Sequence, residues 1–309
     1  MPSQILVVGS SNTDMVVKAE KLPAPGETVM GGSFLMNPGG KGANQAVAAA
    51  RLLQPSAGGT VTFVAKIGND IFGQQALSGF NSEGINTTYI LTDMDNPSGV
   101  ALINVDASGE NCITVAPGSN ANLQPAETEA ALDAPEPDAL VLLQLEIPLP
   151  TVDYVIREAA QRGFRVVLNP APAPTQPLPA DLFPHLFLIT PNETEAELLT
   201  GIRVTDLTTA EQAAKKLHEM GVSNIVITLG SKGAYLYTAD QQGQIVEVPP
   251  VKAVDTTAAG DCFNGALTVA LSEGKSLSDA VAFACRAASV SVTRMGAQAS
   301  APYRHELDS

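Results

Sequence analysis

A chain of 309 residues, 45% hydrophobic and only 16% charged, can bury a full core, which excludes a disordered chain and a disulfide-dependent miniature scaffold. Seventeen Lys and Arg against 32 Asp and Glu leave a formal charge of −15 with no basic run, so neither nucleic acid nor a membrane surface is an expected partner. Cys112, Cys262 and Cys285 stand far apart and form no C-x-x-C, which argues against a disulfide framework or a thiolate zinc site and fits a reducing cytoplasm.

The opening residues run straight into Ile5-Leu6-Val7-Val8 without a cationic leader, and no apolar run reaches membrane-span length, so a cytoplasmic protein outside the membrane is expected. In chain order, 5–8 reads as a strand and 42–53 as a helix with buried face Ala43, Ala46, Val47, Ala50 and Leu53. Residues 61–67 read as a strand and 71–80 as a helix, and the alternation resumes at 139–145 with 152–161. It continues through 166–168, 185–189, the acidic helix 193–200, 210–220 and 225–229. A hairpin over 234–248 turns at Asp240-Gln241-Gln242-Gly243. Strands this apolar are covered on both faces, so the expected fold is α/β: a mainly parallel central sheet between helix layers, a Rossmann-type three-layer sandwich.

Two segments, 14–36 and 97–116, alternate polar and apolar residues with Gly and Pro punctuation, and read as small antiparallel strands. The expected organisation is one domain over 1–309 with a small β-sheet lid built from insertions at about 14–38 and 97–118. The run Asn169-Pro170-Ala171-Pro172-Ala173-Pro174 reads either as a linker or as a site loop, since it directly follows a strand.

Three stretches could carry chemistry. Gly39-Gly40-Lys41-Gly42-Ala43-Asn44-Gln45-Ala46 leads into a helix whose first amides can meet a ligand; it is no Walker A loop, because Gly42 stands where Ser or Thr should hold Mg²⁺. Taken alone, it reads equally as a Gly-rich turn with a solvated lysine. Ser10-Ser11-Asn12-Thr13-Asp14 follows the first strand, where open sheets bind ligands, and Asn and Asp suit vicinal hydroxyls, though they also form ordinary turns. Asp255-Thr256-Thr257-Ala258-Ala259-Gly260-Asp261 precedes a helix with core face Phe263, Ala266, Leu267, Ala270 and Leu271, so its amides form an anion cradle. Asp261 there reads either as a helix cap or as a general base.

The first and third of these stretches resemble the two signatures of the ribokinase family of carbohydrate kinases. Further matches are Gln144-Leu145-Glu146, Asn169-Pro170-Ala171-Pro172, Asn192-Glu193-Thr194-Glu195, Thr228-Leu229-Gly230-Ser231-Lys232-Gly233 and Val292-Thr293-Arg294-Met295-Gly296-Ala297-Gln298, so the likeness spans nearly the whole chain. The resemblance implies an ATP-dependent phosphotransferase acting on the 5-hydroxyl of D-ribose, with Mg²⁺ accompanying ATP and K⁺ activating. It implies that Asn12, Asp14, Gly40, Lys41, Asn44 and Glu146 hold the sugar, that Asp261 is the base, and that Ala258, Ala259 and Gly260, with the Asp261 amide, form the anion hole. Asn192, Thr228, Gly230, Ser231, Gly233 and, on the adenine side, Cys285 are the implied nucleotide contacts. Glu195 is tied to Mg²⁺ through phosphate or water.

The resemblance further implies a monovalent-cation loop of Asp255, Thr257, Ser291, Arg294, Gly296 and Ser300, and a homodimer joined through the lids. Two departures stand out: Cys262 follows the base where Thr or Ser is usual, and Cys285 replaces a polar residue. Cys285 also lies on an apolar stripe with Leu277, Val281, Ala288 and Val292, which reads as core. The alternatives are a kinase for deoxyribose, fructose or adenosine, or a non-catalytic sugar-binding regulator of the same fold.

Overall fold

Residues 4–54, 58–174, 176–240, 242–248 and 250–307 are described by a computed structural model. Strand β1 (Gln4–Val8) is followed by β2 (Asn12–Lys18), β3 (Ser33–Gly39), α1 (Lys41–Leu52), β4 (Thr60–Gly68), α2 (Ile71–Ser82), β5 (Ile90–Asp93), β6 (Gly99–Val105) and β7 (Asn111–Ala116). Then come α3 (Glu129–Leu132), β8 (Leu140–Leu143), α4 (Leu149–Gln161), β9 (Arg165–Leu168), β10 (Leu188–Ile189), α5 (Glu193–Thr200) and α6 (Leu207–Glu219). The chain continues with β11 (Asn224–Thr228), β12 (Ala234–Tyr237), β13 (Gly243–Val246), α7 (Ala259–Ser272) and α8 (Leu277–Ser291).

Nine strands form the central sheet in the order β13-β12-β11-β10-β9-β8-β1-β4-β5. From β11 to β5 all neighbours run parallel, and the β12–β13 hairpin adds an antiparallel edge. Alternation along β1 assigns the layers. Ile5 and Val7 pack into a core with α1, α7 and α8, while Leu6 and Val8 pack into a second core with α4 and α6. Burying each such side chain contributes about 1.5–3 kcal/mol, which two continuous layers multiply.

The expected α/β sandwich is therefore observed, with local corrections. Residue 185 belongs to a 3-10 turn, Ala180–His185, whose Pro184 lacks the amide a ladder needs, so β10 is only two residues long. Strand β5 is an edge strand too short to leave a sequence signal. The helix at the glycine-rich stretch ends at Leu52, with Ala50 only partly buried. Helix α7 has no solvent face: it is buried from Asp261 to Leu271, because α1 flanks it on one side and α8 on the other. Gly265 permits this, since a Cβ there would lie 2.7 Å from the Gln45 carbonyl and 2.8 Å from the Ala48 methyl of α1. Of the late hairpin's turn, Gln241 lies outside the described residues.

A second sheet, in the order β3-β2-β6-β7, draws on both segments that break the βα rhythm. Its central pair, β2 with β6, is parallel, not antiparallel as expected. The reason is connectivity: β2 follows β1 and β6 follows β5, and β1 and β5 run in the same direction. Among the described residues no helix is long and apolar enough to cross a membrane.

Candidate functional site

The carboxyl ends of β1, β8, β9 and β10 converge on the N-termini of α1 and α7, the place where open α/β sheets bind ligands. Asp261 sits there in the first turn of α7, only 6% exposed. It does not cap its helix. Its Oδ2 accepts a hydrogen bond from Asn44 Nδ2 and its Oδ1 one from Gln45 Nε2, both at 2.9 Å. Burial pushes the carboxyl up from its ordinary range; Lys41 and the Asn44 and Gln45 amides pull it back, and Glu146 adds to the push.

The helix start carries its own signature. Ala258, immediately before α7, adopts a left-handed conformation at φ 58° and ψ 17°, which costs a residue with a side chain about 1–3 kcal/mol. The Ala259 amide bonds the Thr256 carbonyl, and among the described residues the Gly260 and Asp261 amides make no backbone hydrogen bond. A Cβ on Gly260 would meet nothing within 4 Å, so open space lies beside these donors. Two unspent amides at a helix N-terminus, next to open space, are what an anion requires.

On the other side of Asp261 lie the residues expected to hold a sugar. Glu146, just past β8, accepts from Ser10 Oγ at 2.5 Å and from the Lys41 amide at 3.0 Å, satisfying the start of α1 where no local cap exists. Gly40, at φ 89°, makes the turn into that helix. Asn44 presents its Oδ1 buried and without a partner, an acceptor left for a ligand. Asn12 Oδ1 is held by Asn120 Nδ2 at 2.8 Å; Asn120 also binds both backbone groups of Ser11, fixing the crossing from β1 to β2. Asp14, on β2, is pushed up to about 6 by burial and by the charges of Glu146 and Asp261, against the pull of Lys41.

Burial lowers Lys41, but Asp261, Glu146, Glu195 and Asp14 together outweigh it and raise its ammonium above the usual range. Four carboxylates share that one ammonium. The excess negative charge fits a divalent cation brought with a nucleotide.

The expected nucleotide residues gather at the ends of β10 and β11. Asn192 caps α5, accepting from the Glu195 amide at 2.8 Å, while Glu195 Oε2 accepts from the Asn192 amide at 2.9 Å; Asn192 also bridges to Thr228. Burial raises Glu195, opposed by the Asn192 hydrogen bond and by Lys41. Gly230, Ser231 and Gly233 form a tight turn closed by the Leu229 amide on the Gly233 carbonyl at 2.9 Å. Cys285, expected on the adenine side, is 5% exposed and packs in the α1–α7–α8 core, where burial pushes its thiol up to about 11.

The two segments expected to flank a monovalent cation are joined. Asp255 accepts from the Thr257 amide through Oδ1 and from the Gly296 amide through Oδ2, each at 2.9 Å, and the Val292 carbonyl accepts from the Val254 amide at 2.7 Å. Burial would raise Asp255, but the Thr257 side chain and the Gly296 and Thr257 amides outweigh it and lower its carboxyl. Ser291 and Ser300 donate to the Ala288 and Ala297 carbonyls, and Arg294 pairs with Glu306, so its guanidinium is committed elsewhere. What the loops offer is hard oxygen, with the Asp255 charge nearby, a donor set that fits an alkali cation.

Several contributors had no sequence signal of their own. Asn120 is one. Arg51 is another: it pairs with Glu83 and donates to the Gln298 and Ala301 carbonyls at 2.7 and 2.9 Å, clamping the second segment expected to flank a cation to α1.

A three-layer sheet with a second sheet beside the carboxyl ends of its strands, and an anion-ready helix start at that end, defines the ribokinase-like class of α/β folds. The family model described as pfkB family carbohydrate kinase matches residues 2–304, and the chain belongs to that family. A ribokinase of Haemophilus influenzae is 43% identical over 99% of this chain and 97% of its own length. The crystal structure of a ribokinase from Thermotoga maritima is 40% identical and superposes with a TM-score of 0.87 over 100% of this chain and 98% of that one. The structure of Arabidopsis thaliana ribokinase complexed with ribose and ATP is 32% identical, with a TM-score of 0.88 over 99% of this chain and 97% of that one.

Proposed function

We propose that this protein transfers the γ-phosphoryl group of ATP to the 5-hydroxyl of D-ribose, giving D-ribose 5-phosphate and ADP. One observation carries the reading: Asp261, buried between two amide donors, stands beside the unspent Gly260 and Asp261 amides and faces the Asp14, Lys41 and Glu146 cluster. Relatives that carry the ribokinase name over nearly their whole length support the same choice of sugar and nucleotide.

In this reading Asp14, Asn12, Asn44 and Glu146 grip the ribose hydroxyls. Asp261 accepts the proton of the 5-hydroxyl as its oxygen bonds to the γ-phosphorus, and the bond from phosphorus to the bridging oxygen breaks to release ADP. The Gly260 and Asp261 amides receive the charge on the phosphoryl oxygens, a contribution of about 2.7–4 kcal/mol per well-placed donor. Lys41 offsets charge between sugar and nucleotide. A divalent metal carried with ATP would neutralise phosphate charge, and Glu195 would be tied to it through phosphate or water. A monovalent cation, K⁺, would sit among the oxygens near Asp255, Thr257, Ser291, Arg294, Gly296 and Ser300 and stiffen the loop that carries Ala258.

The chain acts as one domain over 1–309, with the second sheet as a lid that excludes water and thereby ATP hydrolysis. That sheet leaves Phe34, Met36, Leu102, Ile113 and Val115 exposed, more apolar surface than a roof alone explains, which supports a homodimer joined through the lids. Three free cysteines fit a cytoplasmic setting.

The test is ADP release by purified protein against D-ribose, 2-deoxyribose, fructose and adenosine, each with K⁺ or Na⁺. D-ribose should give the highest kcat/KM, with phosphorus found on the 5-oxygen. Turnover of another acceptor and none of ribose would overturn the assignment.

A further inference from the structure

Behind Asp261, away from the ligand side, lies a buried chain of amides that the mechanism does not use. Gln45, in the second turn of α1, is fully buried. Its Nε2 donates to Asp261 Oδ1 at 2.9 Å and to Asn169 Oδ1 at 3.0 Å, and its Oε1 accepts from Gln144 Nε2 at 2.6 Å. Asn169 in turn donates to the Thr190 carbonyl at 3.2 Å, Thr190 Oγ1 donates to Asn264 Oδ1 at 2.6 Å, and Asn264 Nδ2 donates to the Gly260 carbonyl at 2.8 Å. The chain therefore leaves Asp261, crosses the ends of β8, β9 and β10, and returns to α7 one residue before it started.

The polarity of this circuit is dictated by chemistry. An ionised carboxylate only accepts, so the group facing Asp261 Oδ1 must be the nitrogen of Gln45. That turns the Gln45 oxygen away, where it needs a donor, and Gln144 supplies one. Each amide thus has one allowed orientation, and the Asp261 carboxylate plane is held from both sides, by Asn44 at one oxygen and by Gln45 at the other. Asn44 is partly reached by solvent and keeps an unbonded Oδ1, whereas Gln45 is fully buried with both polar atoms bonded within the protein.

We infer that Gln45, oriented by Gln144, is a positioning residue that fixes the carboxylate of Asp261 for proton abstraction without touching either substrate. The inference rests on the reading of Asp261 as the base. A general base must lie within hydrogen-bond reach of its proton in one geometry, and a misplacement of about 1 Å can cost roughly 10²-fold. The charged groups around Asp261 are Lys41 of α1, Asp14 of β2, Glu146 after β8 and Glu195 of α5, with the Cys262 thiol next in α7. None of them is altered by changing Gln45. Losing the donated hydrogen bond removes one of the groups that favour the ionised form, so the ionisation of Asp261 should move to higher pH.

The experiment compares wild type with Gln45→Met, close in shape but without donors, and Gln144→Met, which frees the Gln45 amide. Fold is checked by circular dichroism, ribose and nucleotide affinity by calorimetry, and kcat over the pH range. Asp261 ionisation is followed without substrate by NMR of ¹³C-carboxyl aspartate, assigned with Asp261→Asn. Gln45→Met should keep both affinities within about threefold, lower kcat by about 10–100-fold, and shift the acid limb of kcat and the NMR midpoint upward together. Gln144→Met should do the same more weakly. An unchanged kcat and midpoint in folded Gln45→Met would overturn the inference, as would a fall in ribose affinity equal to the fall in kcat. The NMR midpoint is read without turnover, so it judges Gln45 even where wild type transfers nothing to ribose, a result that would sink the functional reading instead.

Discussion

An ideal Cβ on Gly39 would lie 2.3 Å from each carboxylate oxygen of Asp14, so the sugar-side carboxylate occupies space that any side chain on the neighbouring strand would need. Gly39→Ala should therefore displace Asp14 while sparing the nucleotide side, and weaken ribose binding at least about tenfold. Asp14→Asn keeps the shape but loses the charge, and charge-assisted hydrogen bonds contribute about 1.5–3 kcal/mol, so ribose binding should fall roughly 10–100-fold with ATP affinity intact. Calorimetry showing unaltered ribose affinity in either folded variant would leave Asp14 as a residue of β2 with no part in holding the sugar.

The same carboxylate ties binding to pH. Asp14 ionises only above about 6, because burial and then Glu146 and Asp261 oppose its charge. Ribose affinity should fall as pH drops through that value, and the fall should vanish in Asp14→Asn. Stability has the opposite sense. Between the ordinary 3.8 and about 6 the folded protein keeps a proton that the unfolded chain releases, so this group's contribution declines as pH rises across that window. Asp14→Asn should accordingly raise Tm at pH 7.5 and leave it nearly unchanged at pH 3.5. Equal melting temperatures at pH 7.5 would show that Asp14 is not held against its charge.

Gly265 tests the close approach of the two helices that bear the site. Added methyls in a packed interface cost about 1–3 kcal/mol, and here the Gln45 carbonyl would have to give way. Gly265→Ala should lower Tm by several degrees and kcat by more than the sugar affinity, since Gln45 and Asp261 ride on opposite sides of the contact. Thermal melts and kinetics on one preparation decide it; no loss of stability would mean that α1 and α7 yield without cost.

Asp255 holds the two loops of the proposed cation segment together by its carboxylate. Asp255→Ala should abolish any difference between K⁺ and Na⁺ and leave slow turnover, because the Ala258 turn loses its brace. Wild-type rates equal in K⁺, Na⁺ and a bulky organic cation at matched ionic strength would refute the cation loop.

Much of this was legible in the sequence because the site motifs are local. Gly39 to Ala46 and Asp255 to Asp261 each carry a glycine-rich turn and a helix start, and apolar strands between them announce a sheet covered on both faces. What was not legible is what distant residues do together. Gln45 reaches Gln144 across 99 positions and Asp261 across 216, and an isolated glutamine in a helix carries no pattern that reveals its partner. Of the two readings of Asp261, cap or base, geometry removes the cap: its oxygens face Asn44 and Gln45, not its own helix. The apolar stripe of α8 that includes Cys285 was legible from its period, and it meets the core. Strand β10, two residues long, and the parallel β2–β6 pair depend on connectivity that no local pattern encodes.

The most direct test of the account is the single-turnover transfer of a labelled phosphoryl group from ATP to D-ribose by Asp261→Asn, beside wild type under saturating substrates. Because Asp261 does not cap its helix and its carboxylate is buried, the amide variant should fold, bind both substrates, and transfer roughly 10²–10⁴-fold more slowly, about 3–5 kcal/mol of barrier. Transfer at the wild-type rate by a folded Asp261→Asn protein would contradict it.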